Sequence, residues 1–277
     1  MVAKTLVSTA ELAANLDRWR VFDCRHELLK PQLGESQYRA AHIPGAVFAS
    51  LDRDLSSPKS GNNGRHPLPE PNVFGAWLGR CGVEPTDQIV CYDAANGATA
   101  ARLWWLARWI GHDAVAVLDG GLAKWTAEGR PVTAEVPHPT PATHPVHLRA
   151  GMSVDVEAIA KTLRQRMLLD ARAPVRYRGE QEPIDPVAGR IPGALNRFNI
   201  DNVRADGQFK DAAELKAEFQ RVLGNRAPGE VVHYCGSGVA ACHNLLALEV
   251  AGLPGGKLYA GSWSEWIADP ARPREKG

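Results

Sequence analysis

Cysteine is scarce in this chain: five residues in 277, at Cys24, Cys81, Cys91, Cys235 and Cys242. The number is odd and no two form a Cys-x-x-Cys pair. That excludes a disulfide framework and a paired-cysteine zinc site, and it points to a reduced compartment, the cytoplasm. Excess charge is absent too, with 32 Lys+Arg against 31 Asp+Glu and a formal net charge of +1. A chain without a basic surplus carries no electrostatic footprint for nucleic acid or for an anionic membrane. No apolar run approaches the roughly 20 residues that a membrane helix needs, and Met1-Val2-Ala3-Lys4-Thr5-Leu6-Val7 has no signal-peptide core. What remains, 44% hydrophobic and 23% charged, is an ordinary globular composition with enough residues for two cores.

The order of landmarks along the chain is repeated. An apolar strand candidate, Arg20-Val21-Phe22-Asp23-Cys24-Arg25, ends in Asp-x-Arg; Met167-Leu168-Leu169-Asp170-Ala171-Arg172 does the same. Ile43-Pro44-Gly45-Ala46 recurs as Ile191-Pro192-Gly193-Ala194. A β-branched run, Gln88-Ile89-Val90-Cys91-Tyr92, is matched by Val231-Val232-His233-Tyr234, and Gly120 with Trp125 by Gly261 with Trp266. Four landmarks in one order, offset by about 140 to 150 residues, indicate a duplicated domain. We place the first copy at 1–136, a linker at 137–149 and the second copy at 150–277. The linker contains Pro137, Pro139, Pro141 and Pro145, which keep it extended and semi-rigid. Short strands alternating with helical patterns predict an α/β fold, with a mainly parallel sheet flanked by helices in each copy. Working residues then gather beyond the carboxyl ends of the strands.

One such end stands out. After Val231–Tyr234 come Cys235-Gly236-Ser237-Gly238-Val239 and then Ala240-Ala241-Cys242-His243-Asn244-Leu245-Leu246, apolar at helical spacing. Cys235 therefore sits between a strand and a helix. Glycines let the loop curl its backbone N–H groups toward the sulfur, and the helix points its positive end there. Both favour the thiolate, which is the nucleophile. Burial statistics alone would make Cys235 a packing residue; the glycine-rich strand-to-helix setting argues for a reactive one. A phosphatase would need an arginine six residues on, to clamp phosphate, and Ala241 stands there. In the first copy Asp93 takes the cysteine's place, so that copy is expected to be chemically silent.

With these features the chain resembles the tandem-domain rhodanese-type sulfurtransferases over nearly its whole length. The resemblance implies a cycle in which Cys235 takes a sulfane sulfur from a small-molecule donor and holds it as a persulfide. It then passes the sulfur to a thiol, cyanide or a thioredoxin-like acceptor, with no cofactor and no metal. Gly236, Gly238, Val239, Ala240 and Ala241 would cradle the anionic sulfur. The loop is most similar to the Cys-Gly-Ser-Gly-Val-Thr-Ala of the 3-mercaptopyruvate branch, with Ala240 in the threonine position; the thiosulfate branch usually has basic residues after the cysteine. The resemblance also implies that Arg176 binds the donor's carboxylate and that Ser237 works with His66 and with Asp52, or less favourably Asp54. The family's second carboxylate-binding arginine is replaced by Ile184, leaving Arg178 or Arg190 to substitute. Thiosulfate:cyanide sulfur transfer and a non-enzymatic persulfide carrier are the alternatives.

Overall fold

The computed structural model describes residues 2–277. It contains β1 (Leu6–Val7), β2 (Arg20–Asp23), β3 (Val47–Phe48), β4 (Ile89–Tyr92), β5 (Val115–Leu118), β6 (Met167–Asp170), β7 (Leu195–Asn196), β8 (Val231–Tyr234) and β9 (Lys257–Leu258). One sheet has the order β1-β5-β4-β2-β3 and the other β7-β6-β8-β9, and every pairing is parallel. A parallel bridge from Ser153 to Leu258 lies beside β9 as β1 lies beside β5. The second sheet thus repeats the first, its outer strand shortened to a single bridge.

Sequence explains the inner strands. β4, β5, β6 and β8 are buried along their whole length, as strands covered by helices on both faces must be. Valine, isoleucine and leucine supply most of these positions. Each sheet has its own core: Val21, Val90, Tyr92, Ala116 and Trp125 lie in one, and Leu168, Val232, Tyr234, Trp263 and Trp266 in the other.

The repeated polar residues build the same clamp twice. Arg25 binds both carboxylate oxygens of Asp23 and reaches the Ala41 carbonyl. Arg172 does this with Asp170 and the Gly189 carbonyl. The Tyr92 hydroxyl accepts from Ile43 N at 3.2 Å, and the Tyr234 hydroxyl from Ile191 N at 3.3 Å. Trp125 and Trp266 each donate their indole N–H to a proline carbonyl, at 2.8 and 2.9 Å. Asp-x-Arg and Ile-Pro-Gly-Ala are therefore fastenings between a strand end and the following loop, where a buried ion pair is tolerated because both carboxylate oxygens and several guanidinium N–H groups find partners.

The chain divides into two compact units, but not by a single cut. One comprises the chain up to Ser57, Pro69–Arg149 and Val203–Phe209; the other comprises Pro58–Leu68, Ala150–Asn202 and Lys210–Gly277. The segment 137–149, expected as a linker, carries neither helix nor strand and is grouped with the first unit. Ala142 N donates to Gly79 O at 2.8 Å, His147 N to Ile110 O at 2.8 Å and Arg149 N to Trp109 O at 2.9 Å. Gly79 makes the approach feasible, since a Cβ there would lie 2.4 Å from the Ala142 carbonyl oxygen. The expected copies, 1–136 and 150–277, also differ from the observed units by the two short segments 58–68 and 203–209, each grouped with the other half of the chain.

Candidate active site

β8 delivers Cys235 to the carboxyl edge of the second sheet, and the helix Ala240–Val250 starts five residues later. The cysteine is 3% exposed. Its sulfur accepts from Gly238 N at 3.1 Å and Ser237 N at 3.5 Å, the curled backbone expected of the loop. Gly238 has φ +76, and a Cβ there would lie 2.4 Å from Ala260 O. Glycine is thus required at Gly238 both for the conformation and for the approach. The other cysteines sit differently. The Cys242 sulfur donates to Gly238 O at 3.1 Å, and burial pushes Cys81 up to about 12. Burial, followed by its contact with Cys91, raises Cys24 well above the ordinary thiol range.

Ser262 was not singled out from the sequence. Its hydroxyl accepts from Cys235 N at 3.0 Å and donates to Tyr259 O at 2.9 Å. It is one of two non-glycine residues with positive φ among the described residues, at φ +55. The matching residue of the first copy is Gly121, at φ +56. A serine in a glycine's conformation holds the Cys235 backbone.

Around the loop, Ser237 Oγ lies 2.8 Å from His66 Nδ1, and both residues are buried. The segment 58–68 that carries His66 is grouped with the second unit, so this expected pair is brought together. Asp52 lies in the first unit, half-buried in a turn after β3. Asp54 closes that same turn, its carboxylate accepting from Ser50 N at 2.8 Å.

Arg176 stands beside the loop but is not idle. Its Nε meets both oxygens of Glu182 at 3.0 Å, and its Nη2 meets Glu182 at 2.7 Å and Asp185 at 3.0 Å. Burial pulls the Glu182 carboxyl upward, but bonds from Arg176 and from the backbone N–H groups of Asp185 and Ile184 outweigh it and hold Glu182 below the usual range. Both suggested substitutes for the arginine missing at Ile184 are paired with carboxylates of their own. Arg178 pairs with Glu180 at 2.6 Å on the surface. Arg190 is engaged by Glu275 and the Gly277 carbonyl, and stacks 4.5 Å from the Tyr177 ring centroid. A second cation beside the loop is Arg65, which sequence reasoning passed over: a Cβ on Gly236 would lie 2.9 Å from its Nη2 and 3.5 Å from Arg176 Nη2. Its neighbours in sequence, Gly64 and His66, gave no sign of this, because Arg65 and Asp185 are 120 residues apart.

The first copy shows the same loop with a different tenant. The Asp93 carboxylate accepts from Ala95 N, Gly97 N, Thr99 N and Ala100 N at 2.9 to 3.4 Å. Burial pushes its pKa up, and these four bonds only partly offset that. The cradle is retained and filled by a side chain that cannot carry sulfur.

The Rhodanese-like domain model matches residues 8–128 and 155–269. A Pseudomonas aeruginosa protein named "Probable 3-mercaptopyruvate sulfurtransferase" is 47% identical, over the full length of both chains. The mouse "Thiosulfate sulfurtransferase" is 34% identical, over 95% of this chain and 92% of its own. Among solved structures, the 3-mercaptopyruvate sulfurtransferase from Leishmania major superposes with a TM-score of 0.86 at 31% identity, covering 98% of this chain and 75% of that one. The chain belongs to the rhodanese family, as a sulfurtransferase with two rhodanese-like domains in tandem.

Proposed function

We propose that the chain transfers sulfur from 3-mercaptopyruvate, through a persulfide on Cys235, to a thiol or cyanide acceptor. The observation that carries this reading is the Cys235 sulfur held by Ser237 N and Gly238 N in a loop without a charged side chain, with the Ser237–His66 pair beside it. In the first half-reaction the Cys235 thiolate attacks the donor sulfur. The C–S bond breaks with its electron pair going to carbon, which leaves the enolate of pyruvate, and the enolate takes up a proton. Ser237, hydrogen-bonded to His66, is the group that would polarise or protonate that enolate. In the second half-reaction the acceptor attacks the outer sulfur of the deprotonated persulfide. The S–S bond breaks and the Cys235 thiolate returns, with thiocyanate or a new persulfide as product.

The first copy indicates what supports the outer sulfur. Asp93 reaches Thr99 N and Ala100 N at 2.9 and 3.4 Å, where Thr99 precedes the helix Ala100–Trp109 as Val239 precedes the helix Ala240–Val250. Val239 N and Ala240 N are then the donors within reach of a terminal sulfur one bond beyond Cys235 Sγ. Asp52 is assigned to this group by the family resemblance.

Donor choice follows from charge. Arg65, Arg172 and Arg176 face Asp170, Glu182 and Asp185, three cations against three anions. That balance suits a monocarboxylate recognised by directed N–H groups better than a compact dianion drawn by net positive potential. Purified protein should show a higher kcat/KM with mercaptopyruvate than with thiosulfate, and after donor treatment its intact mass should rise by one sulfur. Cys235→Ser should abolish both turnover and the mass increase. A higher kcat/KM with thiosulfate would give the chain to the thiosulfate reading. A mass increase without turnover to cyanide or thiols would make it a persulfide carrier.

A further inference from the structure

Arg65 has donors to spare beside the reactive cysteine. Its Nη1 binds Asp185, and its Nε is buried without a hydrogen-bond partner. Its Nη2 comes within 2.9 Å of where a Cβ on Gly236 would stand. Arg176 approaches the same point at 3.5 Å and shares Asp185 with Arg65, one carboxylate oxygen to each guanidinium. Asp185 is 7% exposed, so this bridge fixes both planar forks before any ligand arrives. The Nη2 groups of Arg65 and Arg176 thus converge beside Gly236, the residue that follows Cys235.

We infer that Arg65 is a specificity-determining residue, the second cation that receives the donor's carboxylate, in the role that Ile184 leaves unfilled. The guanidinium comes from the 58–68 segment rather than from the 182–185 loop, and Asp185 is its positioning residue. The fork of Arg65 and that of Arg176 together offer one carboxylate a pair of charge-assisted bonds. This assignment rests on the mercaptopyruvate reading, and the experiment below separates the two.

Arg65→Gln is the first variant. The Arg65 backbone N–H that binds Ser264 Oγ at 2.9 Å does not depend on the side chain. Loss of one charged hydrogen-bond partner should lower kcat/KM for mercaptopyruvate about ten- to a hundredfold, mostly through KM. Pyruvate affinity, read by calorimetric titration, should fall by a similar factor. Mercaptoacetone, the same donor without its carboxylate, should be used equally well by wild type and variant. Arg65→Lys keeps the charge without the fork and should fall between them, so it serves if the glutamine variant does not fold. Equal losses on mercaptopyruvate and mercaptoacetone, unchanged pyruvate affinity in both variants, or a wild type that binds no pyruvate at millimolar concentration would each overturn the assignment. A wild type that prefers thiosulfate but loses pyruvate affinity in Arg65→Gln would overturn the donor reading and leave Arg65 as the carboxylate ligand.

Discussion

Ser262 shows how a single residue can bear two opposed requirements. A left-handed backbone at a non-glycine residue costs roughly 1 kcal/mol, and the hydroxyl's bond to Cys235 N, 3.0 Å long, contributes about the same. Both Ser262→Gly and Ser262→Ala leave the buried Cys235 N–H without this acceptor, but only the glycine variant also relieves the strain. Ser262→Ala should therefore be less stable than Ser262→Gly by about 1 kcal/mol. Sulfur transfer should slow in both variants, since each frees the Cys235 backbone. Equal melting midpoints for the two would show that φ at Ser262 carries no strain. Cys235 itself was legible in the sequence because its signal is local, a strand end followed by small residues and a helix. Arg65 was not, because it acts through tertiary neighbours that no spacing reveals. Arg176 was legible only in part: it lies beside Gly236, but its engagement with Glu182 and Asp185 depends on how the 182–185 loop folds back.

At the scale of the element, β8 carries an uncommon burden. His233 lies at its centre, fully buried, with both ring nitrogens lacking a partner. Desolvation pushes its pKa down to about 3, against about 6.5 for an exposed histidine. The folded chain therefore binds fewer protons than the unfolded one between these values. The stability contribution of a neutral His233 is complete above about pH 6.5 and is lost as the pH falls toward about 3, at close to 1.4 kcal/mol per pH unit. His112 and His144 act in the same direction: burial lowers both, and their rings meet at 3.0 Å, which disfavours two charges. Denaturant midpoints at pH 7 and pH 5 should show a clear loss for the wild type. His233→Leu, which needs no hydrogen bond, should reduce that loss by about 2 kcal/mol. The same loss in wild type and variant would mean that His233 takes up its proton without unfolding the strand. The run Val231–Tyr234 read correctly as a buried strand from its valines, because a parallel strand's signal is apolarity on both faces. The two-residue strands β1, β3, β7 and β9 are too short to imprint any period.

At the scale of the whole molecule, the duplication was legible because both copies keep the same fastenings: Asp-x-Arg, the tyrosine, Ile-Pro-Gly-Ala and the closing tryptophan. The exchange of segments 58–68 and 203–209 between the two compact units was not. Each is short, polar and irregular, and its place is set by contacts far away in sequence, such as Phe209 N donating to Asp119 at 2.8 Å. The segment 203–209 lies against the matching loop of the first copy, where a Cβ on Gly97 would be 3.6 Å from the Phe209 ring. Duplication thus left one loop with a cysteine and one with a built-in carboxylate, and the proposed function gives the two loops separable roles in chemistry and stability. Asp93→Ala would strip four backbone N–H groups of their acceptor inside a buried loop. The expected destabilisation is roughly 2–5 kcal/mol, at the upper end for a single substitution. Sulfur loading should stay at one atom per chain and kcat should change less than twofold at a temperature where the variant remains folded. Asp93→Cys tests the other half of the argument. It restores a thiol to the cradle, but Phe209 and Gly207 cover that loop, the latter with a Cβ position 3.2 Å from Ala95 O. Intact-mass measurement after donor treatment should still find a single sulfur. Two sulfurs per chain would show that the first loop lost only its cysteine and never its access.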